Sequence, residues 1–149
     1  MKYTIKYEIS KILEDLGITE GDKLFIHAFL PSLGMVQGGI PTILDAILEC
    51  LGKEGTLIVP TFTASYRRNE VYDVLNSKSF NGAFSEHVRK LPNSVRSLDP
   101  LFSMSAIGKD SEYLMHRSSD NCFGIGSIYE KLFIENTKFL GFGIQWNQG

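Results

Sequence analysis

A chain of 149 residues with a formal net charge of −2 and a pI near 5.9 lacks the positive charge that general nucleic-acid binding or adhesion to acidic membranes requires. Its two cysteines, Cys50 and Cys122, form no metal-binding pattern and no disulfide framework. No apolar run approaches the ~18–20 residues of a membrane span. The length and ordinary composition predict one domain over residues 1–149, in the reducing cytoplasm, without a metal.

The first half of the chain alternates between helix and strand patterns, which is typical of α/β proteins. Apolar residues at helical spacing predict a helix over residues 5–16, which Gly17 ends. Short apolar runs predict buried strands at 24–26 and 56–59, and the segment 41–51 between them is a predicted helix. A strand, a helix and a second strand in this order predict a parallel βαβ unit.

The second half begins with an irregular segment, residues 64–80, which is long for a compact domain and is therefore expected to be functional or mobile. Asn81 is the predicted cap of a helix that runs to Leu91. The later pattern predicts short strands at 95–97 and 104–107, a short helix through 113–115, a helix over 125–133 with Ser127 near its start, and a last strand at 138–142.

Polar residues follow the predicted strands at points where an open α/β sheet collects its ligands. The segments are His27–Leu30, Thr61–Thr63 and Arg96–Ser103. His27 could take part in chemistry, or it could be a core histidine bonded to backbone; the amides after it could stabilise an oxyanion. Arg96 could bind a phosphate or carboxylate, or form a surface ion pair. The sequence contains no P-loop, dinucleotide fingerprint, zinc spacing or G-x-S-x-G motif.

Five longer blocks are spread along the chain: GDKLFIHAFLPSLGMVQGG, ILDAILECLGKEGTLIVPTFT, RSLDPLFSMSAIGK, FGIGSIYEKL and FLGFGIQWN. In this order they resemble the aminoglycoside 3-N-acetyltransferase family, from about residue 5 to 147. The resemblance implies a three-layer α/β fold with a central, mainly parallel sheet flanked by helices. It also implies transfer of an acetyl group from acetyl-coenzyme A to an amine on an amino sugar or aminoglycoside.

The resemblance further implies roles for single residues. An ammonium must lose a proton before its nitrogen can attack a thioester, and the candidate catalytic residues are His27 and Asp99. The expected contacts with coenzyme A come from His27, Ala28, Phe29, Leu30, Arg96, Ser97, Phe102 and Ser103. Contacts with the acceptor are expected from four residues because of their place at the second strand end and in the irregular segment: Thr61, Thr63, Tyr66 and Asp73.

The chain departs from the family pattern at three places. A histidine commonly stands at the position of Asp99, antibiotic-modifying members carry one at the position of Ile144, and family members continue beyond Gly149. We therefore expect the N-terminal part of the fold, truncated at the C-terminus, and an enzyme that is catalytically complete only with its C-terminal part. The residue at position 144 favours an amino-sugar or nucleotide-sugar acceptor over a clinical aminoglycoside.

Two other functions stay open from the sequence. The chain could be a non-catalytic coenzyme A- or sugar-binding module, or a subunit whose role is association, as in a homo-oligomer. Acyl transfer through a Cys122 thioester is the remaining alternative. In each case the expected partner is a small molecule or a second protein chain, and neither nucleic acid nor a membrane.

Overall fold

The computed structural model describes residues 3–116 and 120–144, and for Tyr66 the backbone alone. A five-stranded sheet forms its centre. The strands are β1 (Lys23–Ala28), β2 (Thr56–Pro60), β3 (Val95–Arg96), β4 (Met104–Gly108) and β5 (Lys138–Phe142). They lie side by side in the order β3-β4-β2-β1-β5, and each is a strand that the sequence predicts.

The strand directions bring several strand ends together. β1 pairs in parallel with β2, where Phe25 lies opposite Ile58, and with β5, where Phe25 lies opposite Phe139. β4 runs antiparallel to both β2 and β3. Four of the five strands therefore point the same way, which confirms the mainly parallel sheet and adds a reversed β4. The carboxyl ends of these four strands and the amino end of β4 meet at one edge, called the strand-end edge below.

Helices cover both faces of the sheet, which confirms the three-layer arrangement. They are α1 (Lys6–Asp15), α2 (Gly39–Leu51), α3 (Ala83–Arg89), α4 (Ser111–Met115) and α5 (Ile128–Ile134), with 3-10 turns at Leu30–Leu33 and Tyr66–Arg68. The first three helices pack on one face and the last two on the other. Among the described residues, no helix is both long and apolar enough to cross a bilayer.

The alternation of side chains along the strands explains the two layers. Leu24 and Ile26 of β1 face α1–α3, whereas Phe25 between them faces α4 and α5. In β2, Ile58 is likewise fully buried on the second face. A side chain of this size stabilises the fold by about 1.5–3 kcal/mol when it is fully buried. Continuous apolar strands of this kind are expected when both faces of a sheet are covered.

The start of α5 differs from the prediction. The helix begins at Ile128 instead of 125, because Gly124 and Gly126 both adopt positive φ angles that an α-helix does not allow. The Ser127 side chain caps the helix by accepting a hydrogen bond from the Glu130 amide at 3.1 Å. Ile125 lies outside the helix and is exposed.

The face of α1 is also narrower than its apolar pattern predicts. Ile9 and Leu13 are buried against the core, while the other apolar side chains of the pattern, Ile5, Ile12 and Leu16, are exposed. The helix contacts the rest of the molecule mainly through α2, so one neighbouring helix covers only a narrow stripe of it.

Candidate functional site

An open groove lies at the strand-end edge beside the carboxyl end of β1. It consists of two adjoining depressions of about 330 and 510 Å³ that share Ala28, Phe29 and Gly82. The end of β1 and the following 3-10 turn form one wall. The segment Phe80–Gly82, which leads into α3, forms the other. Ligands of open α/β sheets bind at this kind of location.

His27 lies in the smaller depression, and its side chain is exposed. The prediction of a core histidine bonded to backbone is therefore wrong. Within the described residues its imidazole has no hydrogen-bond partner, while the protein atoms around it partly exclude water and lower its pKa below the ordinary value. The ring is accordingly neutral near pH 7, with a nitrogen lone pair free to accept a proton.

Gly143 supports the β1 wall of the groove from the side of β5. The Phe29 amide donates to the Phe142 carbonyl at 2.9 Å, so the chain after β1 stays attached to the end of β5. Gly143 has φ +74°, and a Cβ at this position would lie 2.8 Å from the Phe29 carbonyl oxygen and 2.1 Å from Ser32 Oγ. A glycine is needed here for both reasons.

The predicted site residues next to β2 and β4 are buried in a polar network. The Thr61 amide donates to the Ser103 carbonyl at 2.8 Å, and Ser103 Oγ donates to the Thr61 carbonyl at 2.5 Å. The Met104 amide donates to Ser97 Oγ at 3.0 Å. Thr61, Ser97 and Ser103 are each at most 1% exposed, so their hydroxyl groups do not face the groove.

Arg96 is buried next to this network. Its guanidinium donates to the carbonyls of Val74 (3.1 Å), Ser77 (2.6 Å) and Thr61 (2.7 Å), and lies over the Tyr72 ring at 5.1 Å from the centroid. Both sequence interpretations of Arg96 fail for this arrangement, because its described partners are carbonyls instead of a carboxylate and the group is closed off from an incoming phosphate. Its contacts instead fasten the 72–77 segment to the end of β2.

A second anchor holds the same segment from α3. Arg89 donates to both carboxylate oxygens of Glu86 at 2.8 and 2.7 Å, and also to the Leu75 carbonyl. Glu86 in turn accepts from the Ser79 amide at 3.0 Å. These bonds, led by that of Arg89, lower the pKa of Glu86 to about 2. The irregular segment of the prediction is thus held by two buried arginines.

The other predicted residues mostly stabilise local turns. Asp99 is buried and accepts from the Leu101 and Phe102 amides at 2.8 and 2.7 Å. Thr63 donates to the Pro100 carbonyl at 2.6 Å. Asp73 is exposed and accepts from the Leu75 and Asn76 amides at 2.8 and 3.0 Å. The side chain of Tyr66 lies outside the described residues.

Three residues that line the smaller depression escaped prediction as site residues: Phe80, Asn81 and Gly82. Ile144, which the family resemblance singled out, lines it as well. Asn81 is not the cap of α3, whose N-cap is Gly82. Asn81 Oδ1 instead accepts from the Phe62 amide at 2.6 Å, and its Nδ2 has no partner among the described residues. The sequence did contain one signal for the Phe80–Gly82 wall. The long segment after β2 must return to α3, which packs beside the same sheet.

The comparisons with known proteins agree with the fold. The sequence profile of the family described as aminoglycoside 3-N-acetyltransferase matches residues 25–149. The chain belongs to this family. The aminoglycoside N(3)-acetyltransferase VIII of Streptomyces fradiae is 31% identical over 122 residues, which cover 69% of this chain and 43% of the relative.

Solved structures give the same result. The crystal structure of aminoglycoside acetyltransferase AAC(3)-Xa superposes with a TM-score of 0.83 at 28% identity, over 91% of this chain and 55% of the other. A structure of AAC-IIIb in binary complex with CoASH has the same fold, with a TM-score of 0.78 at 23% identity over 88% of this chain and 56% of the other. The present chain thus spans about half the length of the proteins that it matches.

No group of three or more histidine, cysteine, aspartate or glutamate side chains within residues 3–116 and 120–144 could hold a metal ion. The groove has one imidazole, one side-chain amide nitrogen without a described partner, and apolar walls. It is the candidate functional site.

Proposed function

We propose that this chain belongs to an acetyl-CoA-dependent N-acetyltransferase that acts on an amino group of an amino sugar or aminoglycoside. The observation that carries the proposal is the open groove at the end of β1, which holds an exposed imidazole in a member of the aminoglycoside 3-N-acetyltransferase family. The relative AAC-IIIb, in complex with CoASH, supports coenzyme A as the co-substrate.

The groove walls match the chemistry of a pantetheine arm. This arm is narrow and alternates methylene groups with amides, so it needs an apolar channel with a few polar contacts. Ala28, Phe29 and Leu30 provide the channel on the β1 side, and the Phe29 ring is half exposed. We assign these three residues to the coenzyme. The buried Arg96, Ser97 and Ser103 shape the site from behind without touching it, and Phe102 is treated with the acceptor below.

His27 and Asn81 provide the polar groups for the transfer. A neutral imidazole can accept the proton that an acceptor ammonium must lose before it attacks the thioester. The developing oxyanion then needs a hydrogen-bond donor. The Phe29 amide cannot serve, because it donates to Phe142. Asn81 Nδ2 lines the same depression and has no partner within the described residues, so we assign it this role. The Asp99 carboxylate accepts hydrogen bonds from two backbone amides, which is a local structural role. A catalytic role for Asp99 stays a prediction.

Calorimetry on the 149-residue chain and a thiol-release assay on the full-length protein test the proposal. We expect coenzyme A to bind the wild type, and Asn81→Ala and His27→Ala to weaken binding or turnover. A panel of amino sugars and aminoglycosides then identifies the acceptor. Turnover with aminoglycosides alone would reverse the preference for simpler amino sugars that Ile144 motivates. Failure to bind coenzyme A would overturn the proposal.

Two alternatives have distinct outcomes in the same experiments. Coenzyme A binding without acetyl transfer to any acceptor by the full-length protein supports the non-catalytic binding module. A stable mass increase of one acetyl group that disappears in Cys122→Ala supports a thioester route. The expectations of a cytoplasmic location, of no nucleic-acid or membrane partner, and of a homo-oligomer stay predictions.

A further inference from the structure

Five aromatic rings form a continuous row along the strand-end edge. The row runs Phe80, Phe62, Phe102, Phe123, Tyr129, with centroids of successive rings 6.5, 5.2, 5.1 and 5.0 Å apart. It begins in the groove, where Phe80 lies beside His27, and ends at the first turn of α5. No ring of the row is buried, and Phe80 and Phe123 are 62% and 57% exposed.

The row is held in place before any ligand arrives. The Phe80 amide donates to the Phe62 carbonyl at 3.1 Å, and the Phe102 amide donates to Asp99. Tyr129 packs against the core under α5. A contiguous exposed apolar surface on a small protein marks a binding site more often than chance, and a preorganised surface binds with less loss of entropy.

The charge around the row favours a cationic ligand. Aromatic faces attract cations, and the cations that lie over rings in the described part of the chain lie over Tyr72 and Tyr113, outside the row. The Phe102 amide donates to Asp99. Burial, and after it the negative charge of Asp99, raises the pKa of Tyr129. The Asp99 carboxylate therefore lies close to the part of the row from Phe102 to Tyr129.

We propose that Phe102 and Phe123 form the stacking surface for a protonated amino-sugar ring of the acceptor. This inference rests on the proposed function and names the half of the site that the acceptor occupies. The flat apolar face of a sugar ring packs on the phenyl rings, and its ammonium groups lie toward Asp99. The adenine ring of coenzyme A would also stack, but its phosphates would meet the same negative charge. In the row, Phe62 alone separates Phe102 from Phe80, so an acceptor at this position lies along the same edge as the groove proposed for the thioester.

The test measures binding of tobramycin, which carries several amino groups on linked rings, and of coenzyme A to the 149-residue chain by calorimetry. Maltotriose, an uncharged oligosaccharide of similar size, tests the need for positive charge. The variants are Phe123→Ala, Phe102→Ala and Phe123→Tyr. Phe133→Ala is the matched control, because Phe133 is a more exposed phenyl ring on α5 outside the row.

We expect Phe123→Ala and Phe102→Ala to weaken tobramycin binding about three- to tenfold, the range of a partly exposed cation–ring contact. Phe123→Tyr and Phe133→Ala should bind like the wild type, maltotriose should bind more weakly than tobramycin, and coenzyme A affinity should not change. If coenzyme A binds but tobramycin does not bind, or binds Phe123→Ala as well as wild type, the inference fails while the proposed function stands. Weaker coenzyme A binding by Phe123→Ala would assign the row to adenine and also overturn the inference. If neither ligand binds, the proposed function fails with it.

Discussion

The two halves of the strand-end edge make an instructive comparison. At the β1 and β5 side, His27 near the end of β1 and Phe29 just after it are exposed and line a groove. Around β2, β3 and β4, the corresponding residues Thr61, Arg96 and Ser103 are buried and bonded to one another. Both halves carry the same sequence signal, a polar residue at the end of a strand.

The difference comes from the segment between β2 and α3. It folds back over the ends of β2 and β3, and Arg96 and Arg89 hold it there. The β1 end receives only the returning tip of this segment, Phe80–Gly82. One half of the edge therefore supports the architecture and the other half is left open for a ligand. Whether a polar residue at a strand end can contact a ligand therefore depends on the path of the next loop.

The largest effect is expected on the buried half. Arg96→Met keeps an unbranched side chain but removes the guanidinium that donates to three carbonyls, and it should lower the free energy of unfolding by roughly 3 kcal/mol. Arg67→Met removes an exposed arginine from the segment 64–80 that Arg96 contacts. This control should change stability by less than about 0.5 kcal/mol. Urea denaturation measures both. Equal, small losses would show that Arg96 does not anchor the loop.

The open half has its own structural requirement at Gly143. Alanine there needs a strained φ and brings Cβ within 2.8 Å of the Phe29 carbonyl, so we expect a loss of about 2 kcal/mol and weaker coenzyme A binding as the β1 wall moves. Gly124→Ala is the matched control, because its φ is +84° but no atom lies within 4 Å of the new Cβ. It should lose only about 1 kcal/mol, without an effect on the groove. Equal losses of stability in Gly143→Ala and Gly124→Ala would contradict the close contact between a Cβ at position 143 and the Phe29 carbonyl.

Acid should destabilise the buried half of the edge through Glu86. The pKa of Glu86 is about 2 in the fold against an ordinary 4.5, so its stabilisation is complete above pH 4.5 and is lost as the pH falls toward 2. The amount is about 1–3 kcal/mol, since the side chain is 20% exposed. Glu86→Gln should flatten this part of the stability–pH curve. Glu54→Gln, at an exposed ion pair with Lys109, should leave the curve unchanged.

The smallest effect on stability is expected at His27. His27→Ala should change the free energy of unfolding by less than about 0.5 kcal/mol, because the side chain is exposed, while coenzyme A binding or turnover falls more clearly. Because the pKa of His27 is lowered, wild-type turnover should decline only as the pH drops below the ordinary histidine range. If His27→Ala loses as much free energy of unfolding as of coenzyme A binding, His27 has a structural role like that of the residues in the buried half.

The sequence by itself determined the order and type of the elements, the strands that are apolar on both faces, and the family. Hydrophobic periodicity and sequence motifs are local properties of the chain. The sequence also indicated which segments meet at the strand-end edge, since parallel strands share their carboxyl ends. Only the tertiary structure decided which of those residues face a ligand. That outcome depends on contacts such as Arg96 with Ser77 and Asn81 with Phe62. These join residues about 20 positions apart in the sequence, and no local pattern encodes them.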